Sequence, residues 1–100
     1  MNKELEKMLE RLSDRMAALL KNDPDWLETA SQIEQALDSA DLPVEADKSS
    51  PQVFARSLFE SNPGLSVLAE TALKNRVDLY AIDNPFDLVN NLLPSDHHLD

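Results

Sequence analysis

The chain contains no cysteine and a single glycine, Gly64, among its 100 residues. Without cysteine, it has neither a disulfide framework nor a thiolate nucleophile. One glycine is too few for a chain rich in hairpins, because their tight turns depend on Gly, Asn-Gly or Asp-Gly. It is also too few for the glycine-rich loops that cradle phosphate groups. These absences exclude Rossmann and P-loop nucleotide sites and favour a helical domain.

Aromatic residues and long apolar runs are also scarce. Aromatics make up 5% of the chain, so the core must consist mainly of Leu, Val, Ile, Ala and Met. No apolar run approaches the roughly 20 residues that cross a bilayer. The opening residues, MNKELEKMLE, alternate in charge and lack the apolar segment of a signal peptide. We therefore expect a cytoplasmic location and no membrane association.

Positive charge is scarce outside the N-terminal segment. The net charge is −10, and residues 1–21 carry five basic and four acidic groups, whereas residues 22–100 carry four and fifteen. Residues 22–47 contain eight acids and no base. An acidic field of this kind opposes binding to DNA, RNA and anionic lipid. We predict no direct contact with nucleic acid.

Residues 3–21 have the longest unbroken helical period in the chain. The apolar residues that fall on one side of the helical wheel are Leu5, Met8, Leu9, Leu12, Met16, Leu19 and Leu20. A basic ladder at i,i+4 spacing, Lys3, Lys7, Arg11 and Arg15, follows the far side. The apolar pattern is too short for a free-standing coiled coil. Packing within the chain's own core is favoured, and a homodimer through residues 3–21 remains open.

The prolines predict where the remaining helices begin and end. Four of them, Pro24, Pro51, Pro63 and Pro85, follow an Asp, Ser or Asn, which is the preferred N-cap before a proline at the first helical position. Pro43 and Pro94 follow apolar segments, where a helix should stop. The helices expected from this scheme, besides residues 3–21, cover residues 24–40, 51–61, 63–75 and 85–93.

The predicted fold is therefore an all-α compact bundle of about five helices, two longer and N-terminal, three shorter and C-terminal, without a substantial sheet. Residues 1–94 form a single helical domain, and residues 95–100 form a flexible acidic tail with two histidines. Residues 42–50 read as a polar loop. Residues 76–83 alternate like a strand but have no partner strand, so we expect an irregular or helical connection that buries some of Val77, Tyr80 and Ile82.

Two clusters resemble metal sites, and neither has the features that metal binding needs. His97 and His98 lie beside acids in the last residues of the chain, where nothing fixes ligand geometry. Asp83, Asn84 and Asp87 are too few for a Ca²⁺ loop and lack its glycine, and helix capping already explains Asn84 and Asp87. We predict no metal, no cofactor and no catalytic residues. Without a histidine inside the folded region, a nucleophilic triad is excluded, and we expect no enzymatic activity.

Residues 52–76 have the outline of a helix-turn-helix, but the cations of its second helix, Lys74 and Arg76, lie at the C-terminal end, whereas DNA readers usually place contacts at the N-terminal end. We predict instead a protein–protein interaction module, such as an adaptor, a chaperone-like protein or a regulatory subunit. Its partner would be another protein with a basic or apolar patch. The alternative is a DNA mimic that occupies the nucleic-acid site of a basic protein. The residues predicted to bind the partner are Glu34, Asp38, Asp41, Lys7, Arg11 and Arg15.

Overall fold

A computed structural model of the chain describes residues 3–42, 44 and 46–93. The helices in this part are α1 (Lys3–Lys21), α2 (Trp26–Ser39), α3 (Pro51–Glu60), α4 (Pro63–Lys74) and α5 (Pro85–Asn90). A 3₁₀ turn, Leu79–Ala81, lies between α4 and α5, and the described residues include no strand. The all-α prediction, with two longer helices before three shorter ones, is confirmed. The predicted tail, residues 95–100, lies outside the described residues.

The helix α1 lies at the centre of the fold. It packs most extensively against α3 and also contacts α2, α4, α5 and the 3₁₀ turn. Leu12, Met16 and Leu20 are completely buried in the core, and Leu9 is buried at its edge. The apolar stripe of α1 therefore packs against the chain's own helices. None of the helices in the described part combines the length and apolar character that crossing a bilayer requires.

Three of the four predicted proline starts are confirmed, each with a side-chain cap. Side-chain oxygens of Ser50, Asn62 and Asn84 accept hydrogen bonds from backbone N–H groups in the first turn of the following helix, at 3.2, 3.2 and 2.8 Å. Each of these bonds satisfies a donor that the helix itself cannot pair. These caps fix the first residues of α3, α4 and α5.

The predicted start of the second helix at Pro24 is wrong, because α2 begins at Trp26. One carboxylate oxygen of Asp23 accepts the backbone N–H of Asp25 at 2.9 Å, and the other accepts the hydroxyl of Thr29. An aspartate that binds the backbone two residues onward forms a turn of its own. The N–H of Thr29 donates to the carbonyl of Asp25 at 3.1 Å, so Asp25 takes the N-cap position and Pro24 precedes the helix.

Both α2 and α4 end in a left-handed residue that is not glycine. Asp41 has φ 60° and Arg76 has φ 66°. The amide of Leu42 donates to the carbonyl of Leu37 at 2.8 Å, and Val77 closes α4 with the corresponding bond at 3.1 Å. This pattern is a Schellman motif, which satisfies carbonyls at the end of a helix.

The segment of residues 76–83 forms a connection with a short 3₁₀ turn, as the prediction of an irregular or helical link allows. Val77, Tyr80 and Ile82 are each half-buried. The completely buried residue of the segment is Leu79, which the predicted set did not include. The last helix is also shorter than predicted, because α5 ends at Asn90 and residues 91–93 form turns.

Candidate functional site

A groove of about 700 Å³ runs between α1, α3 and α4. The apolar residues of its lining, called the floor below, are Leu5, Leu9, Phe59, Pro63 and Val67, and the charged ones are called the rim. Leu9 and Phe59 belong to the buried core, whereas Val67 leaves 60% of its surface exposed. Of the large apolar residues in the described part of the chain, Val67 is the most exposed.

The rim of the groove is strongly acidic. Its charged residues are Glu6, Glu10, Asp14, Glu60, Glu70 and Arg56. Five acids and one base give the lining a formal charge of −4. The Nε atom of Arg56 lies 4.0 Å from a carboxylate oxygen of Glu60, and Glu70 pairs at 3.1 Å with Lys74, each within one helix, so the negative charge is concentrated along α1. The groove thus combines an apolar floor with a negative rim.

The walls of the groove are held by hydrogen bonds close to the floor. The hydroxyl of Ser66 donates towards the carbonyls of Phe59 and Asn62, at 2.9 and 3.2 Å, which ties α4 to the end of α3. On α1, the hydroxyl of Ser13 donates to the carbonyl of Leu9 at 2.9 Å. Both hydroxyl groups are therefore engaged with the backbone. The Ser66 bonds join α4 to the end of α3, whereas the Ser13 bond lies within α1.

Glu34, the first of the predicted partner-binding acids, is engaged within the chain. Its carboxylate forms an ion pair with Lys48 and accepts the backbone N–H of Ala46 at 3.4 Å. The side chain of Glu34 is only 17% exposed. These contacts tie the segment after α2 back onto that helix. Much of the surface of Glu34 is therefore already covered by the chain itself.

Asp38 and Asp41, the other predicted acids, are both exposed at the end of α2. Asp41 is the left-handed residue that ends this helix, so its backbone has a structural role. Neither residue lines the groove. Their side chains form an acidic surface on a different part of the molecule.

The predicted basic residues lie on the flank of α1 that faces the 3₁₀ turn. The guanidinium carbon of Arg11 lies 4.0 Å from the centre of the Tyr80 ring, and the Nε–H of Arg15 donates to the carbonyl of Ile82 at 2.9 Å. Lys7 is exposed at the start of the same row. Arg11 and Arg15 thus hold the connection before α5. The basic and acidic rows of α1 lie on opposite sides of its buried stripe.

Of the two clusters that resemble metal sites in the sequence, one lies outside the described residues and the other contains the N-cap of α5. His97 and His98 are outside them. Asn84 accepts the backbone N–H groups of Phe86 and Asp87 at 2.8 and 3.3 Å, as the capping interpretation predicts. Among the described residues, no group of three or more His, Cys, Asp or Glu side chains is arranged to hold a metal ion.

The groove residues were not among those predicted from the sequence. A signal was present on α1, where Glu6, Glu10 and Asp14 follow one another at i,i+4 spacing beside Leu5 and Leu9. An acidic row next to an apolar edge indicates one wall of an amphipathic groove. The other wall comes from α3 and α4, and their position against α1 is a tertiary property.

No family model, curated protein or solved structure matches the chain. The function is therefore inferred from the shape of the groove, its apolar floor and its charge.

Proposed function

We propose that the chain is a protein–protein interaction module and that its binding surface is the groove between α1, α3 and α4. The observation that carries the proposal is the combination of an apolar floor with five carboxylates at the rim. Apolar surface exposed to water is stabilised when a partner covers it, by about 25 cal/mol per Å². The rim supplies charge, which steers and orients a partner of opposite sign. A partner with a basic or apolar patch, as expected from the composition, fits both features.

A binding role is supported better than a catalytic one. The two hydroxyl groups of the groove donate to backbone carbonyls, and the carboxylates lie at its rim. An active site would instead need a nucleophile or base directed at a reacting atom, with partners that tune it. We propose a non-enzymatic module of the cytoplasm, acting as an adaptor or a regulatory subunit.

The partner in this proposal is a different protein. A homodimer through residues 3–21 would have to use the parts of α1 that the core leaves exposed, because Leu12, Met16 and Leu20 are fully buried. Two copies joined at the groove would also bring two acidic rims together. Like charges facing one another across an interface oppose association. The homodimer remains a prediction that a measurement of molecular mass in solution would test.

The DNA-mimic alternative depends on another surface. The exposed acids Glu28, Asp38 and Asp41 on and after α2 belong to the acidic run of residues 22–47 and lie away from the groove. A mimic would be displaced from its target by duplex DNA, and charge-neutral variants of these acids would weaken its binding. A module that uses the groove would retain its partner after the same changes.

Replacement of Val67 tests the proposed module. Val67→Arg places a long cation on the floor of the groove, at a position that is 60% exposed, so the fold should tolerate it. The matched control is Leu27→Arg, at an apolar residue of α2 that is 53% exposed and outside the groove. Partners should be captured from lysate by the wild type and by the Leu27 variant, and at least tenfold less by the Val67 variant. Equal capture by both variants would contradict the proposal.

A further inference from the structure

The acidic wall of the groove has a regular spacing. Glu6, Glu10 and Asp14 line the groove from three successive turns of α1. At a rise of 1.5 Å per residue, their Cα atoms lie roughly 6 Å apart along the axis of α1, and the row spans roughly 12 Å. Glu60 and Glu70 supply carboxylates from the other two helices. Glu60 and Glu70 each lie near a base on their own helix, Arg56 and Lys74, so a partner segment lying along the groove would meet the strongest negative charge on the α1 side.

Two apolar residues on the α1 side of the floor are separated by the same interval. Leu5 and Leu9 are four residues apart on α1, and Phe59 and Val67 lie across from them on α3 and α4. Side chains at i and i+4 of a helix also recur about every 6 Å along one face. An extended strand repeats on one face about every 7 Å and places the next side chain on the opposite face. A helix lying along α1 would present side chains at the same interval as the acidic wall.

We infer that the groove binds a cationic amphipathic helix of a partner protein, aligned along α1. Apolar side chains at i, i+4 and i+7 of that helix lie on the floor, and flanking Lys or Arg side chains pair with the carboxylates of the rim. The inference depends on the proposed function and adds the chemistry of the partner. It is argued from charge complementarity, because the lining has a formal charge of −4. A second copy of this chain, with a net charge of −10, is a poor occupant.

Three peptides provide the test, each about 16 residues long and labelled for fluorescence anisotropy against the full chain. The first has a leucine stripe at helical spacing flanked by lysines. The second keeps the stripe and replaces each lysine by glutamate. The third has the composition of the first in scrambled order, so it retains the charge and loses the amphipathic face. We expect the first peptide to bind at least tenfold more tightly than either of the others, and to weaken at high salt because its ion pairs are screened.

Two triple variants of the chain locate the binding surface. The groove variant carries Glu6→Gln, Glu10→Gln and Asp14→Asn. The control variant carries Glu28→Gln, Asp38→Asn and Asp41→Asn, which removes the same charge from exposed acids on and after α2. The groove variant should lose at least fivefold in affinity for the cationic amphipathic peptide. The control variant should change by less than twofold.

Three results would overturn the inference. The glutamate peptide or the scrambled peptide could bind as tightly as the first. The control variant could weaken binding as much as the groove variant, which would place the contact on the acidic run of residues 22–47. A partner captured through Val67 could contain no cationic helix and compete with none of the peptides. In that last case the proposed interaction module would stand, and only the inference of a cationic helix as partner would fail. Capture of partners that does not depend on Val67 would contradict the module itself.

Discussion

Asn62 connects two distant parts of the chain through one side chain. Its oxygen accepts the backbone N–H of Leu65 at 3.2 Å and caps α4, and its amide nitrogen donates to the carbonyl of Leu42 at 2.9 Å. The residue is buried, with 6% of its surface exposed. The side chain of Asn62 stabilises the fold through both hydrogen bonds, because loss of either one leaves a backbone group without its partner.

Replacement of this asparagine should therefore destabilise the fold strongly. We expect Asn62→Ala to lower the free energy of unfolding by about 2–3 kcal/mol, from the lost cap and the unpaired carbonyl of Leu42. Asn62→Ser retains a good capping oxygen but cannot reach Leu42, so it should lose about half as much. Urea unfolding measures both variants. An exposed asparagine at the end of α4 supplies the control, Asn75→Ala, which should change stability by less than about 0.5 kcal/mol.

At Arg76, in contrast, we expect a substitution to stabilise the fold, because glycine suits the backbone conformation there better than arginine does. Its φ of 66° is costly for any residue with a Cβ atom, by about 1 kcal/mol. Arg76→Gly should raise the free energy of unfolding by about 1 kcal/mol, because glycine adopts this conformation freely. The control is Asn75→Gly, at a φ of −84°, where glycine gains nothing and should not stabilise. Destabilisation by Arg76→Gly would show that its side chain contributes more than the backbone costs.

The single glycine serves a different purpose. A Cβ atom on Gly64 would lie 2.5 Å from a terminal carbon of Leu42, so this side chain could not keep its place. Gly64 thus allows Leu42 to pack closely against the start of α4. The sequence shows a glycine in a turn-like context, Asn-Pro-Gly, but not its close contact with Leu42. That contact joins residues far apart in the chain.

At the scale of elements, α1 holds the connection before α5 through its basic flank. On the basic flank, Arg15 donates to the carbonyl of Ile82 at 2.9 Å and Arg11 lies over Tyr80. A hydrogen bond from a charged donor is stronger than a neutral one, and the cation–π contact adds about 0.5–1 kcal/mol at an exposed site. These contacts fix the segment that joins α4 to α5.

Removal of the Arg15 guanidinium should loosen that segment. We expect Arg15→Ala to lower stability by about 1–2 kcal/mol, because the carbonyl of Ile82 loses its donor. Hydrogen exchange around the 3₁₀ turn should also accelerate. Lys7→Ala is the matched control from the same row, and it should change stability by less than about 0.5 kcal/mol because Lys7 is exposed. Equal effects of the two substitutions would show that the row acts through its overall charge instead.

Local chemistry explains which elements the sequence could predict. Ser50, Asn62 and Asn84 cap helices through bonds that span only two or three residues, so their patterns are readable directly. Asp23 has the same pattern, but its carboxylate bonds to Asp25 and Thr29 and delays the helix. Both arrangements use similar residue types, and the dipeptide before each helix does not distinguish them, because the hydroxyl that engages Asp23 comes from Thr29, six residues onward. This is why one start of four was wrong.

The candidate site was harder to predict, because its parts are tertiary. The acids of α2 and the basic row of α1 were visible as charge patterns. Glu34, however, pairs with Lys48, and Arg15 pairs with the backbone of Ile82, so both are largely engaged within the fold. The groove requires α1 to lie beside α3 and α4, and no local pattern specifies that arrangement.

At the scale of the whole molecule, charge and apolar surface coincide in one place. The net charge of −10 keeps copies of the chain apart and attracts cations from any direction. The groove adds an apolar surface that only an amphipathic partner covers. A partner with only positive charge would be attracted to many faces of the molecule. A partner that also has an apolar stripe should bind in the groove.

The most direct test of this account is an NMR titration of the isotope-labelled chain with the cationic amphipathic peptide. We predict that the largest changes in amide chemical shift fall at residues lining the groove, with Leu9, Phe59 and Val67 among them. The amides of residues 26–41 should change little. Changes concentrated on residues 26–41, or spread evenly over every acidic face, would contradict the account.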